Sequence, residues 1–249
     1  MGKKAKIIIF VIIVLVILSF IWFDFFFLEK NANLFKQELL KAGEVDDVII
    51  VFNPGGWGVV SLDKAVDFNQ IINNTESLVE KRNYKVSVVP YYRTRDDLWG
   101  KIGSIKELML NFPSSSRVFS NKIEEFLKEN PNDKIIMAGL SNGAIFVDSA
   151  MIRLRDYKDR VIAIEVGSPF WSKNVAEDNV LSLKKDQDIL SKGNIIPLLE
   201  KLASAPFYWA WSNLTGHQIS FTEALHVSGH DYLWTEIEPS VSDFIIQRF

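Results

Sequence analysis

A mostly parallel α/β sheet, covered by helices on both faces and set behind one membrane-spanning helix, is the architecture this sequence predicts. Three observations predict it. Residues Ile7 to Phe23 are apolar without a break except at Ser19. Beyond them, short continuous apolar runs rich in β-branched residues recur along the chain. Between most of these runs lie longer segments with apolar residues at helical spacing. Continuous rather than alternating apolar strands separated by helices indicate a parallel sheet buried on both sides.

The amino-terminal run has the length of a bilayer core, about 20 residues. It shows no polar face at any angle, so a core helix is excluded. A cleaved signal would need a shorter apolar stretch and a small-residue cleavage site. Here the run ends in Phe20-Ile21-Trp22-Phe23 and Phe25-Phe26-Phe27, aromatic residues suited to a membrane interface. Lys3, Lys4 and Lys6 precede it and, by the positive-inside rule, stay cytoplasmic. The expectation is an uncleaved single-pass anchor over residues 1–30, with an extracytoplasmic domain over 31–249. Met1-Gly2 hints at myristoylation, but Lys6 stands where a hydroxyl residue is wanted.

The 249 residues are 48% hydrophobic and 24% charged, enough for one full core and too regular for disorder. A net charge of −3 without a basic block argues against nucleic acid as a partner. The absence of cysteine excludes disulfides, thiolate metal sites and a cysteine nucleophile. No metal or cofactor motif is found.

Residues 31–43 read as a short amphipathic helix leading out of the membrane. Strands are expected at Val48–Phe52, Lys85–Pro90, Lys134–Ala138, Arg160–Val166 and Val180–Leu183, and helices at Lys64–Lys81, Ser116–Glu129, Gly143–Arg155 and Ile189–Leu202. Pro239 to Phe249 reads as a terminal packing helix.

Gly139-Leu140-Ser141-Asn142-Gly143 lies at the junction of the third strand and its helix. A serine on such a turn is exposed at the carboxyl edge of the sheet. The pentapeptide alone is weak, but its setting makes Ser141 a candidate nucleophile. Acyl transfer by serine then needs a base, a carboxylate to orient it and donors for the oxyanion. The chain has three histidines, His217, His226 and His230. His230, in a loop shortly before the terminal helix, is the candidate base; His226 fits a loop or supporting position and His217 neither. The acid should follow the second strand after the serine. Asp188, at the end of the turn Lys184–Asp188, is preferred, with Asp186 as the alternative and an N-cap as the bland role for either. Glu165 is a third candidate, because an unpartnered carboxylate in so apolar a strand is costly. After the first strand, Asn53-Pro54-Gly55-Gly56-Trp57-Gly58 is suited to an oxyanion loop. Its N–H donor would be Gly56 or Trp57, with the N–H of Asn142 as the second. A phosphate loop is less apt, since the Lys-Ser/Thr ending is missing.

Taken in order, Val48–Gly58, Ile135–Ile145, Leu181–Asp188 and Gly229–Phe249 resemble an α/β-hydrolase of the lipase and esterase kind. Gly167-Ser168-Pro169 is similar to the Gly-Ser/Thr-Pro of lipase-like members. The resemblance implies a Ser141–His230–Asp188 triad and an acyl-enzyme route to ester cleavage. Asn53-Pro54 replaces the His-Gly of many members, and Lys185 stands where glycine is usual. Little chain precedes the first strand, which implies a reduced sheet of about six strands.

No cap domain fits between Gly167 and Asn179, so pocket walls are expected from Asp97–Ile105 and from Pro206–Trp211. An acyl or lipid-like ester is the expected substrate. An acyltransferase on the same triad, or a catalytically silent binding module of the same fold, are the alternatives.

Overall fold

Runs of Val, Ile and Phe form the sheet because branched and aromatic side chains suit a pleated surface buried on both faces. The computed structural model describes residues 27–173, 177–193, 195–219, 224 and 229–249. The expected membrane helix and His226 lie outside the described residues. Among the described residues, no helix is long and apolar enough to cross a membrane.

The strands are β1 (Val48–Asn53), β2 (Val86–Pro90), β3 (Lys134–Leu140), β4 (Val161–Val166) and β5 (Val180–Leu183). Each pairs in parallel, in the order β2-β1-β3-β4-β5. The sheet therefore has five strands among the described residues, not about six. Each of the five expected apolar runs became a strand.

Helix α1 spans residues 27–43, so residues 27–30 are continuous with the expected leading helix. It is followed by α2 (Val66–Glu80), α3 (Leu98–Met109), α4 (Pro113–Glu129) and α5 (Asn142–Leu154). The chain then forms α6 (Ile189–Lys192), α7 (Ile195–Leu214) and α8 (Trp234–Arg248). Alternate residues of β1 enter different cores. Ile49 and Val51 pack with Phe35 and Leu39 of α1, Phe119 and Phe126 of α4, and Phe146 of α5. Val48, Ile50 and Phe52 pack with Phe68 and Ile72 of α2 and with Val241 and Phe244 of α8. The result is three layers, helix–sheet–helix.

Three helices differ from expectation. The stretch expected as a pocket wall after Asp97 is α3, whose first turn is capped by the Asp97 carboxylate accepting from Gly100 N at 2.7 Å. The segment expected as one helix from Ile189 breaks at Gly193 (φ 73°) and then continues through Pro206 to Leu214. Helix α8 begins five residues before Pro239, where the Glu236 carboxylate accepts the Leu233 N–H at 3.1 Å.

Strand order reverses between β1 and β3: the chain leaves β1 for β2 on one side, then crosses to β3 on the other. Loops leaving the carboxyl ends at such a switch point flank a crevice. Asn53 of β1 stands opposite Gly139 of β3, so the Pro54–Gly58 loop and Ser141 emerge side by side.

Candidate active site

Ser141 sits between β3 and α5 with φ 53° and ψ −119°, a conformation that non-glycine residues avoid. The two glycines of the pentapeptide make the turn possible by close approach. A Cβ on Gly139 would lie 2.6 Å from Gly143 O, and one on Gly143 would lie 2.2 Å from Asn53 O. Strand, turn and helix can thus stack without side chains between them. The Ser141 N–H donates to Val166 O at 2.9 Å, which ties the turn to the end of β4.

The glycine-rich loop lies against this turn. A Cβ on Gly55 would be 3.6 Å from Ser141 Cβ. Gly58 N donates to Gly55 O at 3.0 Å, closing a tight turn in which Gly56 has φ 54°. The Asn142 side-chain amide donates to Gly56 O at 3.2 Å. Among the described residues, the backbone N–H groups of Gly56, Trp57 and Asn142 have no hydrogen-bond acceptor. They remain available to an oxyanion.

On the other side of Ser141, the chain brings His230 and Asp188 together. His230 Nδ1 is 2.9 Å from Asp188 Oδ2. Gly229 allows the approach: with φ 79°, its missing Cβ would sit 2.3 Å from Gln187 O, next to Asp188. The imidazole rests over Gly167, where a Cβ would be 2.9 Å from His230 Cε1. Gly167 follows Val166, the residue that accepts the Ser141 N–H, so the ring stands at the carboxyl edge beside the serine turn. His230 Nε2 is buried without a hydrogen-bond partner. Ser141 Oγ and His230 are not hydrogen-bonded to each other in this structure.

Asp188 is fully buried and serves two ends at once. Its Oδ1 accepts from Leu190 N (2.9 Å) and Ser191 N (3.2 Å), capping α6. Its Oδ2 accepts from the Tyr232 hydroxyl at 2.7 Å and from the Ser191 hydroxyl, besides facing His230. Burial alone would raise this carboxyl, but the hydrogen bonds from His230, Ser191 and Tyr232 outweigh it and hold it well below the usual range. The N-cap role and the pairing with His230 are therefore the same carboxylate. Burial, together with the bond to Asp188, pushes Tyr232 up to about 12, so its phenol stays a donor.

The other two acids are placed elsewhere. Asp186 is exposed and pairs with Lys192 Nζ at 2.5 Å. Glu165, on β4, points to the α5 side of the sheet with both carboxyl oxygens buried and unpartnered. Burial and nearby Asp148 push its carboxyl well above the usual value. Neither carboxyl contacts His230. His217 follows α7 and donates its backbone N–H to Ser212 O at 2.9 Å.

Tyr232 and Ser191 are the site residues that sequence reasoning missed. Tyr232 stands two positions after His230 and Ser191 three after Asp188; those offsets were the available signal. Lys185, where glycine was expected, links the two loops: its N–H donates to Tyr232 Oη at 3.2 Å, and its ammonium pairs with Glu236 and lies 4.8 Å from the Tyr232 ring. Residues of α3 line a separate cavity, and Phe207, Tyr208, Trp209 and Trp211 of α7 are exposed.

No protein-family model and no curated protein matches the chain. Solved structures do. Cutinase from Trichoderma reesei, in complex with a C11Y4 phosphonate inhibitor, is similar with a TM-score of 0.50 and 14% identity, over 82% of this chain and 76% of that one. A hydrolase from Oleispira antarctica gives 0.33 and 14%, over 85% of this chain and 66% of its own. The likeness is one of fold: the chain has an α/β-hydrolase fold. The chemistry must be argued from the site.

Proposed function

We propose that this α/β-hydrolase fold works as a membrane-anchored serine hydrolase that cleaves carboxylic esters through an acyl-enzyme. The observation that carries the reading is His230: its Nδ1 is held by a buried, strongly hydrogen-bonded Asp188, while its Nε2 faces away unpartnered at the edge where Ser141 turns. A buried imidazole nitrogen without a partner is costly unless something arrives to use it.

In the proposed cycle, Ser141 Oγ attacks the ester carbonyl as His230 Nε2 takes its proton. Asp188 keeps the proton on Nδ1 and stabilises the imidazolium. The N–H groups of Gly56 or Trp57 and of Asn142 hold the carbonyl oxygen as its C–O π bond breaks. Collapse expels the alcohol, which receives the proton from His230. Water then repeats the sequence on the acyl-serine, releasing the acid and restoring Ser141.

The membrane setting rests on residues 7–23, with Lys3, Lys4 and Lys6 on the cytoplasmic side and the domain outside. A lipid-like substrate is supported by α7: Phe207, Trp211 and Leu214 are 78%, 68% and 83% exposed, and residues 202–216 hold no charge. Such a helix face suits the interface of a bilayer. Hydrolysis of p-nitrophenyl esters of increasing chain length tests the proposal. Activity in the wild type that falls to background in Ser141→Ala and His230→Ala supports it. Activity retained in both folded variants would remove it.

A further inference from the structure

Away from Ser141, a cavity of about 240 Å³ lies between the start of α1, the segment after β2, α3 and the start of α4. Its lining includes Phe27, Leu28, Arg93, Phe112 and Arg117, and excludes Ser141, His230 and Asp188.

Arg93 is only 4% exposed. Its guanidinium donates to Pro54 O at 2.7 Å and reaches Gly56 O at 3.5 Å, and its Nε has no partner. Both acceptors are neutral carbonyls. The rings of Phe112 and Phe146 stand 5.3 and 5.5 Å away, which eases the charge without balancing it. Burial pushes the guanidinium down to about 9, still protonated at neutral pH.

The carboxylate on the cavity wall, Glu107, is turned to α4 instead. Its Oε2 accepts from Ser114 N (3.2 Å), Ser115 N (3.0 Å) and the Ser115 hydroxyl (2.9 Å). Lys106 and Arg117 add two more cations to the wall, neither with an ion-pair partner among the described residues, while Arg95 pairs with Asp97 at 3.2 Å. Next to them, Asn111 and buried Phe112 both hold positive φ (55° and 53°), strain of the kind kept at binding sites.

A buried cation in a cavity whose lining carboxylate, Glu107, is taken up by Ser114 and Ser115 is unfavourable until a ligand supplies an anion. We propose that this cavity binds a phosphate group carried on an apolar chain, with the phosphate on Arg93 and the chain along Phe27, Leu28 and Phe112. Arg117 and Lys106 face the same anion from the wall. The space is larger than a phosphate needs, since it equals about eight waters at ~30 Å³ each. Phe27, Leu28 and Phe112 supply its apolar part, and Thr94, Ser104, Ser114 and Ser115 are among the polar residues that complete the wall. The cavity opens beside the start of α1, just after the apolar run, so a lipid headgroup is favoured over free phosphate as the source.

Calorimetric titration of the full chain in maltoside micelles, with hexyl phosphate and with inorganic phosphate, tests this. Hexyl phosphate is expected to bind saturably and to weaken by about tenfold or more in Arg93→Gln and in Arg117→Gln, the loss of a charge-assisted hydrogen bond. Where Arg93→Gln does not fold, Arg117→Gln and the double variant with Lys106→Gln carry the comparison. Ser141→Ala should bind as the wild type does, which keeps this site separate from the hydrolase reading. Weaker binding of inorganic phosphate than of hexyl phosphate supports the lipid source, and equal binding supports the free anion. No saturable binding of either by folded wild type, or binding unchanged in the charge variants, overturns the proposal.

Discussion

Ser141 holds a backbone conformation that glycine adopts readily and serine resists. Ser141→Gly should therefore raise stability by about 1 kcal/mol over Ser141→Ala, because alanine keeps the strain. Equal melting temperatures for the two would show that the turn is not strained. The acid is tested by three substitutions. Asp188→Asn should lower kcat on the order of 10³- to 10⁴-fold, since the amide no longer fixes the imidazole tautomer. Asp186→Asn should leave activity near wild type, and Glu165→Gln should too. Loss of activity in Glu165→Gln alone would make Asp188 the wrong acid. Tyr232→Phe should cost about 2 kcal/mol of stability, the worth of a buried bond to a charged oxygen, and denaturant unfolding measures it. At this scale the sequence was informative about Ser141, Asp188 and His230, because order along the chain ranks them. It was silent on Tyr232 and Ser191, whose roles appear only when two distant loops meet.

Glycines decide how closely the elements approach. Gly167 ends β4 beneath the His230 ring, and Gly229 lets the histidine loop touch the turn before α6. Gly167→Ala should push the ring off its place and lower kcat while KM changes little, since the added methyl meets imidazole rather than substrate; steady-state kinetics separate the two. The strands were legible to within two residues, because each is a short apolar run with polar residues at its ends. Helix α3 was not. Gly100 and Gly103 weaken its helical signal, and its cap, Asp97, reads equally well as a loop residue. Helix α7 runs past Leu202, where the expected helix stopped; Pro206 within it removes one hydrogen bond and need not end a long helix. Its exposed aromatic face predicts that Phe207→Ser/Trp211→Ser loses activity on vesicle-borne esters while keeping it on soluble ones. Equal loss on both would detach α7 from any interfacial role.

Across the whole molecule, two buried carboxyls set opposite pH dependences. The folded Asp188 carboxyl lies below its unfolded value of about 3.9, so its stabilisation is present above that pH and is lost as pH falls beneath it. The folded Glu165 carboxyl lies above its unfolded value of about 4.3. Its contribution is fully present below that pH and is lost as pH rises through the folded value. Chemical unfolding from pH 4 to pH 9 should thus show Glu165→Gln gaining on the wild type as pH rises. A difference that stays flat with pH would mean that Glu165 ionises freely. The parallel, doubly covered sheet was legible as a whole because its strands alternate with helices. Its strand order was not, and that order is what places the Pro54–Gly58 loop beside Ser141. The central claim, that Ser141 is a nucleophile activated by His230, is tested most directly by a fluorophosphonate probe with mass-spectrometric mapping of the adduct. The account predicts a single adduct on Ser141 in the wild type and none in Ser141→Ala or His230→Ala. Equal labelling of wild type and Ser141→Ala, or no adduct on folded wild type, would contradict it.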